Sequence, residues 1–177
     1  MAIVLIIYTV EARTLAKVST QIDVVQGLQV LQARIVEDAQ ASSILAFGAD
    51  PGIGCVAMVS ARDDHGNIVQ DAQNQLVWQR YRVYYYKPSE HAVWLRDIPL
   101  LVPTTAPVPL TEYDDGGGIF PLAHYATGGS LSAEKVSQFK PSVSGGLLNL
   151  SAQSQQLRAG SDTPETVSLQ TVVHPRN

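Results

Sequence analysis

No proline interrupts the chain from Met1 to Asp50, and from Leu15 the apolar residues recur at Leu15, Val18, Ile22, Val25, Leu28, Leu31, Ile35 and Ala39. Steps of three and four place them on one stripe of an α-helix. Ahead of that stripe, Ala2 to Val10 is apolar and carries no charge. The run is short for a spanning helix, which needs about 20 apolar residues. It fits poorly as a secretory signal, because no Lys or Arg precedes it. Part of a membrane helix, or a core strand or helical turn, remain as readings. Gly48-Ala49-Asp50-Pro51-Gly52 blocks continuation of the helix. A helix from Ala2 to Ser42 would be about 60 Å long at about 1.5 Å per residue. That exceeds a small domain, so one half is expected to project.

Gly27 is the natural divider, since a helical Gly costs about 1 kcal/mol against Ala. Residues 1–25 are read as a membrane or assembly half, with Ile3, Leu5, Ile6, Leu15, Val18 and Ile22 facing lipid or other subunits. Residues 26–177 are read as the globular part. Within it, Leu28, Leu31 and Ile35 are expected against Val77, Val83, Val93, Leu169 and Val173 of a sheet. Arg34 and Asp38 have the spacing of an intrahelical ion pair.

After Gly52 the period changes to that of strands. Ile53 to Ala61 reads as a short, buried strand holding Cys55, the only cysteine. A lone thiol forms no internal disulfide, and this one, in an apolar run, reads as buried and inert. Asp63 to Asn67 reads as a turn. Leu76 to Tyr86 is the clearest strand, with Val77, Tyr81, Val83 and Tyr85 on one face and Trp78, Arg80, Arg82 and Tyr84 on the other. Lys87 to Glu90 closes a hairpin to His91–Arg96. Pro99 to Gly129, rich in Pro, Gly and Thr, reads as a long irregular surface loop. Leu131 to Phe139 adds a helical turn or a strand. Leu147 to Ala152 and Val167 to Val173 are the last strands. The fold class expected is α+β, a long N-terminal helix packed on an antiparallel β-sheet.

The composition excludes some functions and offers few sites. The net charge of −4 gives no field for nucleic acid. Arg80 and Arg82 among Tyr81, Tyr84, Tyr85 and Tyr86 could stack and pair with bases, but aromatic strands are ordinary sheet material. His65, His91, His124 and His174 have no helical ligand spacing. There is no nucleophile elbow and no phosphate-cradling glycine loop. Glu112, Asp114 and Asp115 beside Gly116–Gly118 are the one candidate for Ca²⁺, against an acidic turn, and the EF-hand spacing is absent. No catalytic residues, no metal and no cofactor are expected.

Three segments carry a resemblance. Gln26 to Ser42, reading QGLQVLQARIVEDAQAS, resembles the end of the long helix of type IV pilin-like proteins of the minor pilin and J-type type II secretion pseudopilin group. The Leu76–Arg96 hairpin is similar to their paired strands, and Val167–Asn177 to their last strand with its Arg-Asn ending. The processing motif of that family, Gly followed by Phe-Thr-Leu-x-Glu, is missing. Leu5 stands where the glutamate would fall, and Ala2–Ile7 resembles the middle of the pilin membrane helix. The resemblance implies a non-enzymatic filament subunit of a type IV pilus or type II secretion machine. Its partners would be other pilins or pseudopilins. Its place would be the bacterial inner membrane, with the globular domain periplasmic or extracellular. A soluble or virion-associated β-rich structural protein, oligomerising through its N-terminal helix, is the alternative; an enzyme is a third.

Overall fold

The computed structural model describes residues 25–157 and 164–175. A helix, α1, covers 25–40, and a single 3-10 turn follows at Ile44–Ala46. Five strands then form one antiparallel sheet in chain order: β1 (Gly48–Asp50), β2 (Cys55–Ser60), β3 (Trp78–Lys87), β4 (Ala92–Thr104) and β5 (Ser130–Ala133). A short helix, α2 (Leu122–Tyr125), lies between β4 and β5. A second antiparallel sheet follows: β6 (Val136–Ser144), β7 (Leu147–Leu157) and β8 (Pro164–Val173).

This corrects the expected fold class. The described chain is mostly β, with eight strands in two antiparallel sheets, and the helix over 25–40 has 16 residues. Among the described residues, there is no long N-terminal helix packed on one sheet. The remainder of the expected helix, with Ile3, Leu5, Ile6, Leu15, Val18 and Ile22, lies outside the described residues. The strands that the sequence conceals are those whose alternation is broken. Val136, Phe139 and Pro141 are all buried in β6. They share no simple period of two, because the register slips between Val136 and Gln138. An extra residue in a strand inverts which positions face the core beyond it.

The first sheet is buried on both faces, which explains why all six residues of β2 are buried. On one face, Val56, Met58, Tyr84 and Val93 join Leu28, Leu31, Ile35 and Ala39 of α1 and Phe139, Leu148, Leu150 and Val173 of the second sheet. Burying each Leu or Ile of that stripe stabilises the fold by roughly 1.5–3 kcal/mol. On the other face lie Cys55, Ala57, Val59, Tyr81, Val83 and Tyr85. They are covered by Leu110, Leu122 and Tyr125, which come from the segment expected to be a surface loop. The first part of that segment, through Thr104, is not loop but the end of β4; the rest is a covering layer whose anchors drop onto the sheet singly, without any period. Tyr81 Oη donates to the Val108 carbonyl at 2.6 Å, tying layer to sheet.

Gly54, just ahead of β2, lies against β6 of the second sheet. It has φ +64°, and a Cβ there would stand 2.6 Å from the Phe139 carbonyl oxygen. Only glycine combines that conformation with that contact.

Between β2 and β3 the chain makes two turns of one design. Asp63 Oδ1 accepts from the amides of His65 and Asn67 at 2.9 and 2.8 Å. Asp71 Oδ1 accepts from Gln73 and Gln75 at 2.9 and 2.8 Å. Gly66 and Asn74, each three residues after its aspartate, have φ +84° and +60°. The Val69 amide donates to the Ala61 carbonyl at 2.9 Å and the Val77 amide to the Val69 carbonyl at 3.0 Å.

Candidate functional site

The chemistry-bearing side chains concentrate at the seam where the last turns of α1 meet the first sheet. Asp38 follows Ile35 by three residues, so it shares the buried stripe and is only 6% exposed. A buried carboxylate must be paired or hydrogen-bonded, and β3 supplies both partners. Arg82 and Tyr84 are two residues apart, so they leave the strand on the same face. Arg82 Nη1 donates to Asp38 Oδ1 at 2.5 Å, and Tyr84 Oη donates to Oδ2 at 2.5 Å.

The seam continues as alternating charge. Arg82 is directly across from Asp97 of β4 in register, with Nε 3.4 Å from Oδ1. Arg80 Nη1 lies 3.8 Å from the other Asp97 oxygen, and its Nη2 reaches Asp64 at 2.6 Å. Arg80 Nε donates to the Arg62 carbonyl at 3.2 Å. Arg62 in turn pairs with Glu37 at 2.9 Å and donates to the Gly66 carbonyl at 3.0 Å. Helix, sheet and the 62–76 turns are thus joined by one polar network.

Burial pushes the Asp38 carboxyl above its ordinary range, against the opposing pull of the Tyr84 hydrogen bond and the Arg82 charge. The Tyr84 phenol is pushed far up by burial, and the neighbouring Asp38 charge adds to it. Both oxygens of Asp38 are engaged within the seam, so this carboxylate links the helix to β3 at two points. Arg34, expected to pair with Asp38, is exposed instead. It sits on the outward side of α1, and two donors from β3 satisfy the buried carboxylate.

The other expected core residues are placed as follows. Val93 and Val173 are buried with Leu28, Leu31 and Ile35, and Leu169 packs half-buried against them. Val83 lies on the opposite face of the sheet, beneath the covering layer, because Tyr84 and Arg82 take the helix side. Val77 is half-buried ahead of β3. Trp78, expected beside Arg80 and Arg82, is buried with Tyr81 and Val83. A register shift between Trp78 and Arg80 moves it to that face.

Asp114 and Asp115, near the glycines, are engaged by backbone amides of their own turn. Asp114 Oδ1 accepts from the Gly116 and Gly118 amides at 2.9 and 3.0 Å, and Asp115 Oδ1 accepts from Gly117 at 3.0 Å. Among the described residues, no group of three His, Cys, Asp or Glu side chains is placed to hold a metal ion. His91 ends the 3-10 turn Pro88–Glu90 with φ 49°, and its carbonyl accepts from Val136 at 2.8 Å. His124 stacks on Phe120 with ring centroids 4.0 Å apart. Cys55 is fully buried, and burial pushes its thiol up to about 12. Among the described residues, no helix is long and apolar enough to cross a membrane.

The seam was partly within reach of the sequence: Arg80, Arg82 and Tyr84 alternate on one strand, and Asp38 continues the apolar stripe at the position of a core residue. Leu110, Leu122 and Tyr125 left no periodic trace. No protein-family model, curated protein or solved structure matches the chain.

Proposed function

We propose that the chain is a non-enzymatic structural subunit of the minor pilin or pseudopilin kind, serving a type IV pilus or type II secretion filament. The observation that supports this most is the two-sided character of α1. Leu28, Leu31, Ile35 and Asp38 are buried on the sheets, while Gln26, Gln29, Val30, Ala33 and Arg34 remain exposed or nearly so. A helix fixed on its own domain by one side offers the other to neighbouring helices. The charge-free sequence Ala2–Val10 stands upstream of it, and both lipid and a helix bundle accept such a segment. The Asp38 seam suits this role, because assembly through a helix needs a constant angle between helix and domain. Its partners on this reading are other pilins or pseudopilins and the inner membrane.

The test is a deletion in the native host, with a count of surface filaments and of secreted or imported cargo, beside fractionation of the full chain. Loss of filaments or transport, with the protein in the membrane fraction, supports the reading. Unchanged filaments and transport, with the protein wholly soluble, refute it. The mostly β architecture favours a second reading, a soluble or virion-associated structural protein oligomerising through its N-terminal segment. On that reading the full chain elutes as a stable soluble oligomer without detergent.

A further inference from the structure

The two sheets have four outer edges, and they are not protected alike. β1 has three residues and β5 has four, too short to template another strand. β6 carries the exposed Lys140, has Pro141 within it, and is bulged between Val136 and Gln138. Short length, a lysine, a proline and a bulge are the usual devices that keep an edge from pairing. β8 has none of them along most of its length. It begins with Pro164 and Glu165, but from Thr166 to Val173 it reads TVSLQTVV, without charge or proline. Its register with β7 runs from Leu157↔Pro164 to Leu148↔Val173 without a shift. Among the described residues, no strand lies on its outer side.

We propose that β8 is an association strand that pairs antiparallel, about a two-fold axis, with β8 of a second copy of this chain. Unpaired amides and carbonyls along a regular edge are matched best by another extended backbone. Self-pairing is favoured by the charge pattern. The chain is acidic, with a net charge of −4, yet the Thr166–Val173 edge brings no like charges opposite each other when two copies meet. An isologous contact requires such a self-compatible surface. The inner side of the edge adds an apolar contribution. Val167 and Leu169 are half-buried there, beside a small groove lined by Leu31, Ile35, Phe139, Leu150 and Leu169. Pairing sets the Val167 and Leu169 side chains of the second copy along the mouth of that groove and removes both from water. The inference does not depend on the filament reading, since it concerns contact between domains and applies equally to a soluble protein.

The experiment uses the full chain in mild detergent. Sedimentation equilibrium should show a monomer–dimer exchange that depends on concentration. Ser168→Lys and Gln170→Lys place two like charges across the axis, and each should weaken the dimer about tenfold. These residues are exposed, so circular dichroism melting should stay unchanged. Single cysteines at Thr166, Ser168, Gln170 and Val172 then locate the axis, since cross-strand Cα atoms lie about 4.5–5.5 Å apart, within disulfide reach. One position should cross-link strongly under oxidation, with efficiency falling to either side. A chain that is monomeric at every concentration overturns the proposal. So does a dimer indifferent to both lysines, or cross-linking equal at all four positions. A monomer whose β8 amides exchange as slowly as those of β7 also overturns it, because the edge is then already covered by another part of the same chain.

Discussion

Replacing Asp38 by alanine tests whether the seam holds the helix on the sheets. The substitution strands two groups at once. Tyr84, with no solvent exposure, loses the acceptor of its hydroxyl, and an orphaned buried donor costs about 1–3 kcal/mol. Arg82 loses its shortest ion pair, and breaking a buried pair costs about 3–5 kcal/mol. The Arg82 side chain is 24% exposed and keeps Asp97 at 3.4 Å, so its share falls below that range. A total of about 3–4 kcal/mol is expected for Asp38→Ala. For a chain of this size each kcal/mol is worth about 2–4 °C in Tm. Asp38→Asn keeps an acceptor and should cost roughly half as much. Tyr84→Phe in the Asp38→Ala background removes the orphaned hydroxyl, so the double variant should be more stable than the sum of the singles by about 1–2 kcal/mol. Urea unfolding followed by circular dichroism reads the native chain, Asp38→Ala, Asp38→Asn, Tyr84→Phe and the double variant, with a constant m-value as the condition for comparing them. A cost below about 1 kcal/mol for Asp38→Ala, or additivity of the two substitutions within about 0.5 kcal/mol, would refute this account of the seam.

Four further outcomes follow from the same structure. Because burial raises the Asp38 carboxyl, its contribution to stability is complete below the unfolded carboxylate value and is lost as pH rises through the higher folded one. The stability advantage of the native chain over Asp38→Asn should therefore be largest in acid and shrink as pH climbs above about 4; an advantage growing with pH would reverse that assignment. Cys55, with its thiol at about 12, should react with iodoacetamide at pH 8.5 only as fast as the protein unfolds, and rapid native labelling would misplace β2. Leu31→Ala and Ile35→Ala should each cost about 2–5 kcal/mol in the same urea assay, since both residues are within 1% of full burial. Gly54→Ala should cost more than about 1 kcal/mol, whereas Gly27→Ala, where a Cβ meets nothing within 4 Å, should be neutral or mildly stabilising.

What the sequence showed and what it hid divides along the physics of periodicity. The stripe Leu28–Leu31–Ile35–Ala39 was legible because a helix repeats its inward face without interruption. The Lys87–Glu90 hairpin and the Asp63–Asn67 turn were legible because their residues suit tight local geometry. Cys55 was legible because a strand covered on both faces is an unbroken apolar run. Parity failed at Trp78, where the register with β4 shifts by three positions, and Val136–Phe139 shows no clean alternation because the register with β7 slips by one; nothing in composition announces either. The covering layer was hidden for a different reason. Leu110, Leu122 and Tyr125 are isolated anchors in a stretch rich in Pro and Gly, and such a stretch has the same composition whether it packs or not. Asp38 was assigned to Arg34 because sequence shows neighbours along the helix and not the strand that passes beneath it.

The paired turns headed by Asp63 and Asp71 have a consequence for how this chain can change length. Each turn returns the backbone to the same ladder, from Ala61 to Val69 and from Val69 to Val77, a rise of eight residues per step. Removing one such unit leaves an aspartate in the heading position, a left-handed residue three places on, and the ladder intact. The first unit carries the Arg62 pair with Glu37 and the Asp64 pair with Arg80, in which the Glu37 and Asp64 side chains are 68% and 90% exposed, so its removal costs polar contacts at the surface and no core residue. Insertions and deletions between β2 and β3 should accordingly be tolerated in blocks of eight and resisted in other sizes, so the excursion lengthens by whole steps while β2 and β3 keep their register.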